Sequence, residues 1–153
     1  MRLTNNFTLS ELTKSQAAER CGFDNNPDQE QVASLVLLCE HVLQPIRDHF
    51  QKPVVISSGY RSPNVSRQIG SSSKSQHCKG QAADMEIPGI SNKELADFIY
   101  ENLPFDQVIL EFHNPEEINS GWVHVSYVGD ENRYAYLIAE RDETGRVRYS
   151  KWQ

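Results

Sequence analysis

A short polar stretch, SQHCKGQAAD, places a histidine and a carboxylate seven residues apart, where a loop leads into an apolar run. These two residues are His77 and Asp84. A catalytic zinc site takes three protein ligands drawn from histidine, aspartate, glutamate and cysteine, and it keeps a fourth position open. The stretch therefore supplies two of the three ligands that such a site needs.

A third donor is offered by GWVHVS, an apolar run that predicts a strand with His124 near its centre. Side chains alternate along a strand, so Trp122, His124 and Ser126 are expected on one face. The valines between them are expected on the other face. On the residues alone, His124 is either a buried histidine satisfied by hydrogen bonds or a metal ligand, and the loose H-x6-D spacing leaves both readings open.

Helical patterns occupy the first part of the chain. The first 25 residues predict a lead-in with one or two short helical turns. The stretch DNNPDQE then predicts a helix start with Asn26 as N-cap and Pro27 at the first helical position. An apolar stripe continues to Phe50 at helical spacing, so this is the expected core helix, and Pro45 should kink it or start a separate turn.

Strand patterns dominate the second half, from the apolar runs PVVIS and AADMEI to a final hairpin at 134–139 and 146–149. After AADMEI, a capping box of Ser91 and Glu94 predicts the start of one more helix, before the later strands. Because helices come first and no regular alternation of strand and helix follows, we expect an α+β fold, with a mainly antiparallel sheet packed against helices. The length suits one domain over residues 1–153.

Composition excludes several classes of protein. The chain has 153 residues, a net charge of −6 and only 15 scattered basic residues, which argues against nucleic-acid binding. It has three cysteines and no C-x-x-C pair, so no disulfide framework is predicted, and Cys78 is expected to pack in its loop. No stretch approaches the roughly 18 apolar residues of a membrane span. The N-terminal MRLTNNFTLSEL lacks the apolar core of a signal peptide, so we expect the protein to be cytoplasmic at synthesis.

Three stretches taken in order, SSGYRS, SQHCKGQAAD and GWVHVS, resemble the bacterial and phage zinc D-Ala-D-Ala carboxypeptidases. These DD-peptidases share a fold with the Hedgehog signalling domain. The shared pattern is S-x-H-x-x-G-x-A-x-D followed by a W-x-H strand. The resemblance extends from the FTLSEL lead-in to the last strand, and it implies a Hedgehog/DD-peptidase-like fold.

The resemblance also implies roles for individual residues. Zn²⁺ would be held by His77, Asp84 and His124, where it would activate water and polarise the scissile carbonyl. Arg61 corresponds to the family's arginine near the substrate, which can hold a carboxylate or stabilise charge on the carbonyl oxygen. Ser75 corresponds to a serine that hydrogen-bonds the substrate, although a serine that only caps the loop explains the residue almost as well.

The general base is the point at which this sequence departs from the family. Many members carry a glutamate three residues before the last ligand, as E-x-x-H, but here that position is Gly121. The nearest candidate is Glu111, at the end of the otherwise apolar run FDQVILEF, and His113 is the second choice. The solvated loop residues Glu116 and Glu117 are not expected to take part.

These expectations favour a zinc peptidase acting on peptidoglycan stem peptides, most simply a D-Ala-D-Ala carboxypeptidase. An endopeptidase of the phage endolysin type remains open, and so does a non-catalytic metal-binding module of the same fold, which the missing E-x-x-H glutamate would favour. We expect a monomer with no membrane or nucleic-acid partner. Its place of action would be the cell wall or periplasm, reached through a holin or another export route.

Overall fold

A computed structural model describes residues 1–152 and shows helices packed on a six-stranded sheet. The α-helices are α1 (Leu9–Thr13), α2 (Gln16–Cys21), α3 (Gln29–Leu38), α4 (Gln44–Phe50), α5 (Pro63–Gln68) and α6 (Asn92–Asn102). The strands are β1 (Arg2–Thr4), β2 (Phe7–Thr8), β3 (Val55–Ser58), β4 (Ala82–Glu86), β5 (Gln107–Glu111), β6 (Trp122–Ser126), β7 (Ala135–Arg141) and β8 (Val147–Lys151). No helix in this described part of the chain has the length and apolar character of a membrane span.

The large sheet has the strand order β3-β4-β6-β5-β7-β8. Neighbouring strands are antiparallel except for β5 and β7, which run parallel. The exception arises because β6 returns along one side of β5, and the chain then crosses through a 3-10 turn at Gly129–Glu131 to the other side. The predicted α+β class with a mainly antiparallel sheet is therefore confirmed.

The two faces of the sheet have different roles. One face packs on the helices, and its buried residues belong to the same core as Leu35, Leu38 and Ile99. The sheet residues on this core face are Ala83, Met85, Val108, Leu110, Val123 and Val125. The alternate residues of the same strands point the opposite way, as strand geometry requires, and they form the floor of a cleft. The sheet thus separates the core from the site.

The lead-in and the first core helix differ in detail from the sequence prediction. A small β1–β2 hairpin precedes α1, and Thr8 caps that helix in a capping box with Glu11. Helix α3 begins two residues later than predicted, because Asp28, rather than Asn26, caps it. The Asp28 side chain accepts a hydrogen bond from the Gln31 backbone, and the Gln31 side chain accepts one from the Asp28 backbone.

Pro45 lies near the start of α4, directly after a π-helical turn at Cys39–Leu43. Proline has no backbone N–H to donate to the preceding turn, and a widened turn accommodates that loss. The predicted interruption of the core helix is therefore present. It takes the form of a π turn between α3 and α4, with buried Cys39, Val42 and Leu43 facing the core.

Candidate metal centre

The loop that carries His77 is held in front of the sheet by its own hydrogen bonds and by its contact with α3. The Ser75 hydroxyl accepts a hydrogen bond from the His77 backbone N–H at 3.2 Å, which starts a short 3-10 turn. Gly80 ends the turn with φ +72°, and a Cβ there would approach the Gln31 backbone oxygen of α3 to 2.5 Å. Glycine is thus required both by the backbone conformation and by the close approach of α3.

The orientation of the His77 ring leaves one nitrogen free for a metal. Its Nδ1 lies 2.8 Å from the backbone carbonyl oxygen of Gly59, and a carbonyl oxygen can only accept a hydrogen bond. Nδ1 therefore carries the proton, and Nε2 presents its lone pair to the cleft. A carbonyl that fixes the tautomer of a histidine in this way is typical of metal ligands.

Asp84 and His124 meet the free nitrogen of His77 from adjacent strands. The two residues are register partners on β4 and β6, so their side chains leave the sheet side by side. Asp84 Oδ1 lies 3.0 Å from His124 Nδ1 and 3.4 Å from His77 Nε2. Burial raises the pKa of Asp84, but the hydrogen bond with His124 and the nearby imidazole of His77 outweigh burial and leave that pKa below its ordinary value.

The three residues form a group that could hold a metal ion, with one donor atom from each lying within 4.8 Å of the others. Two imidazole nitrogens and one carboxylate oxygen are a donor set that suits catalytic zinc, and they leave further positions open. A partly buried carboxylate placed between two imidazoles is an arrangement that a bound cation would explain. The donor chemistry and the fixed His77 tautomer therefore fit zinc.

A cleft of about 320 Å³ opens above these donor atoms. Six of the residues that the sequence singled out for chemistry line it: Arg61, Ser75, His77, Asp84, Glu111 and His124. Ser71, Gln76, Gln107, Ile109, Trp122 and Tyr149 complete the lining. The cleft can therefore hold a small polar ligand or an extended peptide against the metal group.

Arg61 is tied to the metal loop through its backbone. Its N–H donates a hydrogen bond to the His77 carbonyl at 3.1 Å. Gly59, two residues before Arg61, packs so closely on the Leu12 backbone that a Cβ there would overlap it. The Arg61 side chain lines the cleft, and its buried Nε has no protein partner within residues 1–152. Such a guanidinium keeps donors available for a ligand oxygen.

Glu111 lies at the end of β5, opposite Trp122 of β6. The strand stops there because Phe112 adopts a left-handed backbone conformation with φ +57°. Burial raises the pKa of the Glu111 carboxyl, and the negative charge of Asp84 raises it further. A raised pKa suits a carboxylate that must both accept and release a proton near neutral pH.

The alternative acids and bases lie elsewhere. His113 lines a separate depression with Phe112, Trp122, Glu140 and Arg141, and is not among the residues of the metal cleft. Glu116 and Glu117 are exposed, as the sequence predicted. Of the acid–base candidates taken from the sequence, Glu111 is the one that faces the metal group.

Gly121 explains why a glutamate cannot stand three residues before His124 in this chain. It has φ +68°, and a Cβ there would overlap the backbone oxygen of Glu111 and crowd the Phe112 carbonyl. A side chain at this position would therefore push β5 away from β6. The departure from E-x-x-H follows from this close approach of the two strands.

This packing predicts that Gly121→Ala lowers the free energy of unfolding by about 3 kcal/mol or more, because backbone strain and overlap add. The matched control is Gly145→Ala. Gly145 has φ +83° but open space around it, so its substitution should cost only about 1 kcal/mol of backbone strain. Urea unfolding of both variants measures the difference. Equal losses in the two variants would show that the strand contact at Gly121 is not tight.

Asp106 is a site-supporting residue that the sequence did not indicate. It is buried, and its carboxylate accepts hydrogen bonds from the guanidinium of Arg133 at 2.7 and 3.0 Å and from Gln76 Nε2 at 2.9 Å. The Arg133 hydrogen bond is the main reason that the pKa of Asp106 falls to about 2. Since Gln76 directly precedes His77, this cluster fixes the metal loop. The signal in the sequence that could have pointed to Asp106 was a charged residue directly before the apolar run of β5.

Comparison with known families agrees with this geometry. The model of the Peptidase M15 family matches residues 5–126, which is most of the chain and includes the whole metal group. No curated protein matches the sequence. The family is zinc-dependent, and His77, Asp84 and His124 form a group that could hold such a metal. The mixed fold with its mostly antiparallel sheet is also that of the family, and the chain belongs to the Peptidase M15 family of metallopeptidases.

Proposed function

We propose that the protein is a zinc metallopeptidase that cleaves peptidoglycan stem peptides, with removal of a terminal D-alanine as the favoured reaction. One observation carries this proposal: three metal-donor residues, a carboxylate with a raised pKa and a guanidinium all line the same cleft. Because that substrate lies outside the cytoplasmic membrane, the protein acts at the wall, as a phage lysis enzyme would, and reaches it through a pore or another export route.

His77, Asp84 and His124 would hold the metal at the floor of the cleft. Bound there, zinc would supply Lewis-acid polarisation of the scissile carbonyl and activation of water. The protein's own contribution is to fix the ligands. The Gly59 carbonyl orients His77, and the β4–β6 register sets Asp84 beside His124.

Glu111 would act as the general base and then as the general acid. It lies on the strand next to His124, and its carboxylate lines the cleft. In this role it takes a proton from the attacking water and delivers it to the nitrogen of the leaving amine. The C–N bond then breaks and releases a new carboxylate and an amine. Its raised pKa favours both transfers.

Arg61 and Ser75 would position the substrate. The Arg61 guanidinium can bind a peptide carboxylate with two parallel hydrogen bonds, or stabilise negative charge on the carbonyl oxygen. Ser75 lines the cleft, but its hydroxyl also accepts the His77 N–H. It can still donate its own hydrogen to a substrate oxygen, because a hydroxyl accepts and donates at once.

A second candidate is an endopeptidase that cuts within the stem peptide. The observation that favours it is the lining of the cleft, which includes both Arg61, in the segment that follows edge strand β3, and Tyr149 on β8, the opposite edge strand. A carboxypeptidase needs a pocket that closes on a terminal carboxylate, whereas a groove across the sheet admits chain on both sides. The non-catalytic alternative is disfavoured by the carboxylate of Glu111 in the cleft.

The experiment is a digest of defined muropeptides by zinc-loaded protein, with the products identified by mass spectrometry. Substrates are a stem pentapeptide ending in D-Ala-D-Ala and the tetrapeptide without the last residue. We expect loss of one D-alanine from the pentapeptide only. Larger fragments from both substrates would replace the carboxypeptidase assignment by the endopeptidase, and intact substrates with zinc-loaded protein would favour the non-catalytic module.

A further inference from the structure

The C-terminal hairpin of β7 and β8 lies beyond the residues matched by the family, yet it reaches the metal cleft. Its contribution to the lining is Tyr149. We propose that Tyr149 is a substrate-binding residue, which contacts the stem peptide on the side of the scissile bond opposite Arg61. This inference rests on the proposed peptidase function and adds a specificity determinant to it.

Strand register brings Tyr149 to the site although it is far from the ligands in sequence. Glu111 of β5 pairs with Ala139 of β7, and Ala139 pairs with Tyr149 of β8. Paired residues on neighbouring strands point to the same face, so all three side chains belong to the cleft face. Tyr149 therefore lies in the same cross-strand row as Glu111.

The residue between them leaves room for the tyrosine ring. Ala139 is completely buried and carries only a methyl group. Two strand spacings, about 10 Å, separate the backbones of β5 and β8, and a tyrosine side chain can cover much of that distance over a small neighbour. Burial raises the pKa of the Tyr149 phenol, and the negative charge of Glu111 raises it further. The second effect agrees with the proximity of the two side chains.

The Tyr149 side chain remains available to a ligand. It is 58% exposed and lines the cleft beside the half-buried carboxylate of Glu111. Tyrosine offers a rigid apolar face and a hydroxyl, so it suits a peptide whose methyl or alkyl groups alternate with amides. Stem peptides have this chemistry.

The position of Tyr149 defines the part of the substrate that it contacts. Arg61 follows β3 at one edge of the sheet, the metal group lies on β4 and β6, and Tyr149 lies on β8 at the other edge. The span from β4 to β8 is four strand spacings, or about 19 Å, which accommodates roughly five residues of extended chain. A peptide centred on the metal group would extend toward Arg61 on one side and Tyr149 on the other.

The test compares Tyr149→Ala and Tyr149→Phe with wild type in steady-state hydrolysis of a stem pentapeptide. We expect Tyr149→Ala to raise KM about tenfold with kcat within about twofold, since an interaction made equally in ground and transition states affects KM alone. Tyr149→Phe should keep most of the wild-type affinity, because the ring makes the contact. The control is Tyr100→Ala, which removes an exposed tyrosine on α6, away from the cleft.

Binding is measured separately by calorimetry with the zinc-loaded Glu111→Gln protein, so that a slow reaction does not hide the contact. Adding Tyr149→Ala to this protein should weaken the Kd for the same peptide about tenfold. If wild type cleaves the peptide but Tyr149→Ala changes neither KM nor Kd, the proposed role of Tyr149 is wrong, while the proposed peptidase function still stands. Wild-type protein that neither cleaves nor binds the peptide would overturn the proposed function, and this inference with it.

Discussion

Replacing Glu111 with glutamine is expected to lower kcat by about 10²- to 10⁴-fold while leaving bound zinc in place. Glutamine keeps the size and most of the packing of glutamate at the end of β5, but it cannot take a proton from water. Glu111 is not part of the metal group, so the donor set of His77, Asp84 and His124 is untouched. Peptide hydrolysis and zinc content are measured on the same sample.

The control for this variant is Glu117→Gln, which removes an exposed carboxylate from the loop between β5 and β6. It should leave kcat unchanged, because Glu117 does not line the metal cleft. If Glu111→Gln retained full turnover with zinc bound, the general base would have to be another residue. His113 would then be the next to test, although it lines a different depression.

Replacing His124 with alanine is expected to remove both the metal and the activity. Only one imidazole and one carboxylate would remain, and a divalent metal held by two protein ligands binds far more weakly than one held by three. We expect zinc affinity to fall by more than about 100-fold, since changes in the supporting shell alone cost 10- to 100-fold. Turnover should fall to background at zinc concentrations that saturate the wild-type protein.

The matched control is His41→Ala. His41 is exposed and stacks on Tyr127, outside the metal group. Its loss should change neither zinc content nor turnover. Zinc is counted by inductively coupled plasma mass spectrometry after dialysis, and folding is followed by circular dichroism. A folded His124→Ala protein that still holds one tight zinc and cleaves peptide would exclude His124 as a ligand.

Local chemistry predicted much of the fold. Ser91 caps α6 by accepting a hydrogen bond from the Glu94 backbone N–H, three residues later, as the short-range pattern indicated. The predicted start of α3 was wrong by two residues. Asp28 and Gln31 each accept a hydrogen bond from the backbone N–H of the other, and this capping box starts the helix at Gln29 instead. The parallel pairing of β5 with β7 depends on which side of the sheet the chain crosses to, and no local pattern encodes that choice.

In the site, too, features set by local sequence could be predicted and features set by long-range contacts could not. His77, Asp84 and His124 were predicted from their types, spacing and family resemblance, and the structure brings their donor atoms together. The cluster around Asp106 and the approach of Tyr149 were not predicted. Both depend on contacts between segments about 30 residues apart in sequence. Gln76 donates a side-chain hydrogen bond to Asp106, and Glu111 is the strand partner of Ala139. Side-chain types alone do not reveal such partners.

The departure from the family pattern has a physical explanation of the same kind. A glutamate three residues before His124 is excluded by the contact of Gly121 with the Glu111 backbone. The same contact brings the end of β5 against the start of β6, so that Glu111 faces the cleft. Glu111, the proposed general base, is therefore adjacent in space to the position at which the family pattern places its glutamate.

We propose that this chain hydrolyses peptides with the help of one zinc ion held by His77, Asp84 and His124. The most direct measurement strips the metal from the wild-type protein with a chelator, restores zinc stepwise, and follows release of D-alanine or a stem fragment by mass spectrometry. We predict no turnover without zinc and a linear rise that ends at one zinc per chain. Equal turnover by the zinc-free protein, or no cleavage by the fully loaded protein, would show that the chain is not a zinc-dependent peptidase.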